Sequence, residues 1–224
     1  MKKILLFITI LGFQFGYSQN DSGLFSESKK LSYYLGYSST NYSKYKTLNV
    51  ASYNNSSIVN LGINYRLFEK KNYQFTLGAI LNYSTLEYRV NDGLSNTGSE
   101  LFLDLPVKFE YNIPLSEKFY VTPNVGLNVN AFLNSEQRYY QDYYSTGNSF
   151  ETTLQTKPFG IGGLVGLDFN IKSNKGIFGI SLGYSKSFTD TYEFNFESTS
   201  STNNYIQALK RDFYSIGFKF TPKK

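Results

Sequence analysis

The stretch Ser57-Ile58-Val59-Asn60-Leu61-Gly62-Ile63-Asn64-Tyr65-Arg66-Leu67-Phe68 alternates strictly from Val59 onward. Val59, Leu61, Ile63, Tyr65 and Leu67 occupy one parity, and Asn60, Gly62, Asn64 and Arg66 the other. A helix would space its apolar residues at a period near 3.6, so a period of two reads as a strand with one apolar face. The run also has the length that a tilted strand needs to cross a bilayer, about 9–11 residues.

The same rhythm recurs on both sides of it. A first strand spans about Lys30–Ser39, with Leu31, Tyr33, Leu35 and Tyr37 on the apolar parity. After the turn Glu69–Asn72 a third begins at Tyr73, setting Phe75, Leu77, Ala79, Leu81 and Tyr83 against Gln74, Thr76, Gly78, Asn82 and Ser84. A fourth covers Ser99–Ile113 and a fifth Phe119–Ala131, joined by the turn Pro114–Lys118. A sixth covers Leu154–Ile171 and, past the turn Lys172–Gly176, a seventh sets Phe178, Ile180, Leu182 and Tyr184 against Gly179, Ser181, Gly183 and Ser185. The eighth places Tyr214, Ile216, Phe218 and Phe220 opposite Arg211, Phe213, Ser215, Gly217 and Lys219.

The polar stretches Thr40–Asn55, Arg89–Gly98, Asn134–Thr153 and Thr189–Gln207 alternate with the short turns. All short turns therefore fall at one end and all long connections at the other, as in barrels with short periplasmic turns and longer extracellular loops. The expected fold is all-β, an eight-stranded antiparallel up-and-down transmembrane β-barrel over residues 29–222. Eight strands bring the last back beside the first and remove the sheet edges. Pro106 and Pro123, which cannot donate to a ladder, are expected to mark bulges, and Pro158 the rim.

The N-terminus reads as a targeting signal. Lys2 and Lys3 precede the apolar run Ile4–Phe15, and Gly16-Tyr17-Ser18 forms a small-x-small cleavage site before Gln19. Residues 1–18 are thus expected to be a signal peptide and 19–28 a periplasmic N-terminal segment. With no cysteine, neither a disulfide framework nor a lipid-anchored cysteine can be built.

Alternation alone also fits a soluble, secreted eight-stranded carrier with an apolar interior. Three features favour the membrane. The polar parity is rich in Gly, Asn and Ser, which suits a narrow lumen, whereas a water-facing surface would carry more Lys and Glu. Tyr65, Tyr73, Tyr111, Phe119, Phe169, Phe178 and Phe220 gather beside the short turns as an interfacial girdle. Lys157, Lys186 and Asp212, the charges on the apolar parity, lie near the long connections. The expected location is therefore the cell outer membrane, with lipid as the surrounding partner and the chain as a monomer.

Several activities are excluded by composition. The chain has no histidine and no cysteine, so Ser-His-Asp catalysis, His-ligated metal sites and Cys nucleophiles cannot be assembled. Asp104 and Glu110 share the lumen parity but stand about 20 Å apart at roughly 3.4 Å per residue, too far for paired acid/base work. No enzyme and no cofactor is expected. The net charge of +5 is spread along the chain and makes no basic stripe for nucleic acid. Gly160–Gly166 resembles a phosphate loop only superficially, because no helix follows it.

The candidate site is the lumen, whose parity carries Arg66, Asp104, Lys108, Glu110, Asp168, Arg211 and Lys219. An eight-stranded interior is just wide enough for side chains, and charges buried there are expected to pair, Lys108 with a carboxylate among them. The alternative is a narrow solute path. The cluster Tyr139, Tyr140, Tyr143 and Tyr144 offers a contact surface for extracellular protein or glycan, or else a strand extension above the membrane.

The run Leu103-Asp104-Leu105-Pro106-Val107-Lys108-Phe109-Glu110-Tyr111 resembles a strand of Bacteroidetes outer-membrane β-barrel domains, including the PorT-like group. The leader ending Tyr17-Ser18-Gln19 is similar to leaders common there. The resemblance implies a porin-like small barrel, in a group with members linked to protein secretion and gliding machinery, and it transfers no catalytic residue. Omptin-type proteases, lipid A acyltransferases and deacylases, and outer-membrane phospholipases resemble the chain in architecture, but their sites use histidine.

Overall fold

The computed structural model describes residues 28–44, 51–53, 56–90, 94–134, 138–143, 149–198 and 205–224, with backbone alone at several outer strand ends. Its strands are β1 (Leu31–Lys44), β2 (Ala51–Tyr53), β3 (Ser57–Lys70), β4 (Tyr73–Val90), β5 (Leu94–Tyr111), β6 (Ile113–Pro114) and β7 (Phe119–Phe132). They continue as β8 (Arg138–Tyr143), β9 (Ser149–Thr156), β10 (Phe159–Ser173), β11 (Gly176–Ser187), β12 (Tyr192–Ser198) and β13 (Tyr205–Pro222).

Eight of these form the wall in the order β1-β3-β4-β5-β7-β10-β11-β13, each antiparallel to its neighbour. The wall closes where β13 returns to β1, in register from Tyr33↔Phe220 to Lys44↔Leu209. The fold is a closed, all-β, eight-stranded antiparallel barrel.

Burial is inverted relative to a water-soluble protein. Leu61, Leu127 and Phe218 are 62%, 57% and 67% exposed, whereas Asn60 and Asn82 on the opposite parity are 4% and 1% exposed. Apolar side chains thus cover the outside, where only lipid removes them from water, and amides, hydroxyls and charges fill the inside. This disagrees with the carrier alternative, which would turn the apolar parity inward: among the described residues that parity faces out. The aromatic girdle persists as ring contacts at the short-turn end, with Phe178–Phe220 centroids at 4.7 Å and Tyr73–Phe109 at 6.2 Å.

Local sequence explains the tight end. At the β3–β4 turn Lys71 takes a left-handed φ of 52°. At the β10–β11 turn Gly176 has φ 147°, and a Cβ there would lie 2.3 Å from the Thr221 carbonyl oxygen, so only glycine fits.

The strands overrun their expected limits at the other end. β4 and β5 pair out to Val90↔Leu94, and β12 and the start of β13 occupy part of Thr189–Gln207. Tyr192, Phe194 and Phe196 alternate with Glu193 and Asn195, so β12 was legible in principle, whereas Ser95–Gly98 of β5 carry no apolar face for hydropathy to mark. The expected sixth strand is divided at Lys157-Pro158: Leu154–Thr156 belong to β9 and pair with β12, and β10 begins at Phe159. Proline supplies no N–H, while its carbonyl accepts from the Phe132 amide at 3.0 Å.

Neither Pro106 nor Pro123 makes a bulge. The β4–β5 ladder lapses between Leu77↔Val107 and Ile80↔Asp104 and resumes unshifted, and the β7 ladder does the same between Glu110↔Asn124 and Ile113↔Val121. A missing donor costs a rung without displacing the chain. The register shift lies instead between Arg66 and Phe68, where Leu67 is the extra residue of β3.

Candidate functional site

The lumen side chains form layers along the barrel, beginning at the short-turn end. Beside the bulge at Leu67 the Arg66 guanidinium sits at the base. Its Nη1 donates to Glu69 Oε2 at 2.8 Å, and its Nη2 donates to the Lys29 carbonyl and Ser28 Oγ, both at 2.9 Å. This cation thus ties β3 to the chain before β1, where Ser28 is itself bridged by its backbone to Lys223 just past β13.

The next layer centres on Lys219 of β13. Its ammonium donates to Asp168 Oδ2 of β10 at 3.2 Å and forms an ion pair with Glu110 Oε2 of β5 at 3.5 Å. Glu110 also accepts from Thr76 Oγ1 at 2.8 Å and from the Gln74 amide. Beside it, Asn170 donates to Thr122 Oγ1, which donates to Asn112 Oδ1. Three wall strands from opposite sides are thereby cross-linked by one cation.

A cavity of about 100 Å³ lies beyond that layer, bordered by Asp104, Lys108, Asn128, Tyr34 and Ser215 among others. Asp104 accepts from the Asn130 amide, and Ser38, Asn60 and Asn82 form a chain with contacts of 2.8 and 2.6 Å. The Tyr34 ring packs over Gly36 and Gly217, where an added Cβ would come within 2.5 Å of it. Glycine on the lumen parity is thus space for a ring.

The long-connection end is capped by Arg211, 1% exposed. Its Nη1 donates to Glu100 Oε2 and to Tyr192 Oη, each at 3.0 Å, and Tyr192 Oη donates to the same carboxylate at 2.6 Å. The guanidinium carbon lies 4.1 Å from the Phe102 ring centre and 4.9 Å from those of Phe132 and Phe213. Aromatic faces and a carboxylate together replace the water this cation has lost.

The structure therefore brings the seven sequence-derived charges into one lumen but at different levels. Arg66 sits at the base, Glu110, Asp168 and Lys219 form one group, Asp104 and Lys108 border the cavity, and Arg211 caps it. One pairing differs from expectation: Lys108 makes no ion pair among the described residues, because Lys219 from across the barrel reaches Glu110. The longer reach from a facing strand wins over a neighbour on the same strand.

Glu100 was not singled out by the sequence, and Tyr192 reads there only as an aromatic residue of the Thr189–Gln207 connection, a strand extension or a contact surface, and not as a lumen group. Glu100 continues the Asp104 parity two pairs back and was legible in principle. The lumen role of Tyr192 was not, since its approach depends on the pairing Tyr192↔Leu209. Of the tyrosine cluster, Tyr139, Tyr140 and Tyr143 lie on the backbone of β8, and Tyr144 lies outside the described residues.

Comparison with known proteins agrees with this architecture. The model of the family described as outer membrane protein beta-barrel domain matches residues 12–193. No curated protein matches the chain. Among solved structures, OprG of Pseudomonas aeruginosa is similar at 15% identity, over 87% of this chain and 97% of that one, with a TM-score of 0.49. The outer membrane protease OmpT of Escherichia coli is similar at 9% identity, over 76% and 65%, with a TM-score of 0.43. Ail, the attachment invasion locus protein of Yersinia pestis, solved with the heparin analogue sucrose octasulfate, is similar at 13% identity, over 86% and 99%, with a TM-score of 0.39.

Proposed function

Because the chain belongs to the outer membrane protein beta-barrel domain family, we propose that it is a non-enzymatic, non-conducting barrel that presents a contact surface outside the cell. Its location is the outer membrane, as the family and the outward apolar band require. The short turns then face the periplasm and the long connections the exterior.

One observation carries the closed-lumen reading: Lys219 and Arg211 of β13 each reach across the interior to a carboxylate of β5, while Arg66 fills the base beside Ser28 and Lys29. An eight-stranded wall leaves little beyond the room those side chains take. A chain without histidine or cysteine supports the non-enzymatic reading.

The surface role is supported by the long connections. β12 pairs with β13, β9 with β12 and β8 with β9, so an antiparallel extension rises past the wall. Tyr139, Tyr140 and Tyr143 fall on its outermost strand, where tyrosine suits contact with protein or glycan. The barrel acts as a monomer in the membrane, and this surface would also serve a place in an envelope or secretion complex.

Purified protein in planar bilayers tests the closed lumen. The expected record shows no steady conductance, whereas stable porin-like steps from the unmodified chain would replace this reading with a solute channel.

A further inference from the structure

The cavity lies between two closures. Phe213 and Ile58, which pack with Phe102 beneath Arg211, line it on the outer side. Asp168, held by Lys219, lines it on the inner side. Two opposite charges of β5 border the space, Asp104 and Lys108, and four residues along one strand face put their Cα atoms about 14 Å apart.

Neither forms an ion pair among the described residues: Arg211 acts on Asp104, and Lys108 on Glu110, only from beyond contact distance. Asp104 accepts from the neutral side-chain amides of Asn130, Asn128 and Asn82. Glu110, the carboxylate two residues beyond Lys108, is already held by Lys219, Thr76 and Gln74. A third group points the same way: Asn128 is 4% exposed, lines the cavity, and its Oδ1 has no hydrogen-bond partner among the described residues.

A buried charge is costly until an opposite charge or a strong donor meets it. A lone anion would satisfy Lys108 and be repelled by Asp104, and a lone cation the reverse. One molecule carrying both charges satisfies both. The volume suits a compact solute, since a water molecule's share of liquid is about 30 Å³.

We propose that this cavity binds a small zwitterion of the amino-acid type, its carboxylate held by Lys108, its ammonium by Asp104, and a further N–H by Asn128 Oδ1. The site rests on the closed-lumen reading, because an open channel would solvate both charges.

The test refolds the full chain in detergent with radiolabelled glycine, β-alanine or γ-aminobutyrate, three probes of increasing charge separation, and measures bound label by equilibrium dialysis. Saturable binding of one of them at about one per chain is expected. N-acetylglycine and glycinamide, each keeping one charge, should compete at least about tenfold more weakly, the loss of one charge-assisted contact. Lys108→Met and Asp104→Asn should each weaken binding by a similar factor. Competition by either single-charge analogue as strong as by the zwitterion overturns the proposal, and it needs no variant to fold. Saturable binding of none of the three probes, with a silent bilayer record, overturns the zwitterion site and leaves the closed barrel standing.

Discussion

Arg211 shows how a cation survives inside a membrane protein. It is held by Glu100, by Tyr192 and by the faces of Phe102, Phe132 and Phe213, from the wall strands β5, β7 and β13 and from β12. Truncating one member of such a pair leaves the other charged and dry. Arg211→Ala should therefore destabilise the folded barrel by about 3–5 kcal/mol, read from urea unfolding in lipid vesicles. Lys157 and Glu193, at 2.5 Å but partly exposed at the rim, are the contrast. Lys157→Ala should cost less than about 1 kcal/mol in the same assay, because water replaces the lost partner. A loss of equal size at both positions would mean that the Arg211 cap is hydrated.

At the scale of the strand, parity decides the cost of a charge, and depth scales it. Leu127 of β7 faces lipid in the middle of the wall, so Leu127→Arg should destabilise by about 2–4 kcal/mol. Leu133, equally exposed but just past the end of β7, should tolerate Arg within about 1 kcal/mol, measured by the same unfolding. This parity was legible in the sequence because alternating burial leaves a direct mark on side-chain chemistry. The β9–β10 break, the β12 pairing and the Leu67 bulge were not, because they arise from backbone partners distant in sequence. The Arg211 level follows from those pairings, which is why that charge could be assigned to the lumen but not to its partners. The extension also makes an element-level prediction. Since β8 pairs with β9 alone among described strands, replacing residues 138–154 with a short Gly-Ser link should leave the barrel folded. Electrophoretic mobility that still differs between heated and unheated samples checks this, and its loss would make the extension part of the folding unit.

Taken whole, the molecule is a polar interior inside an apolar shell, closed on itself where β13 meets β1. The absence of tryptophan makes that inversion open to a direct reading, because one introduced Trp reports only its own surroundings. Tyr34 and Phe218 suit the purpose: Tyr34↔Lys219 and Leu35↔Phe218 are adjacent pairs of the closing seam, so the two residues sit at nearly the same height. Phe218 is on the outside and Tyr34 lines the cavity within. The decisive measurement is fluorescence of Phe218→Trp and Tyr34→Trp in vesicles of lipids brominated on their acyl chains. The expected result is strong quenching at position 218 and little at position 34. Equal quenching at the two positions, or the reverse order, would contradict the assignment of lipid and lumen faces on which the whole account stands.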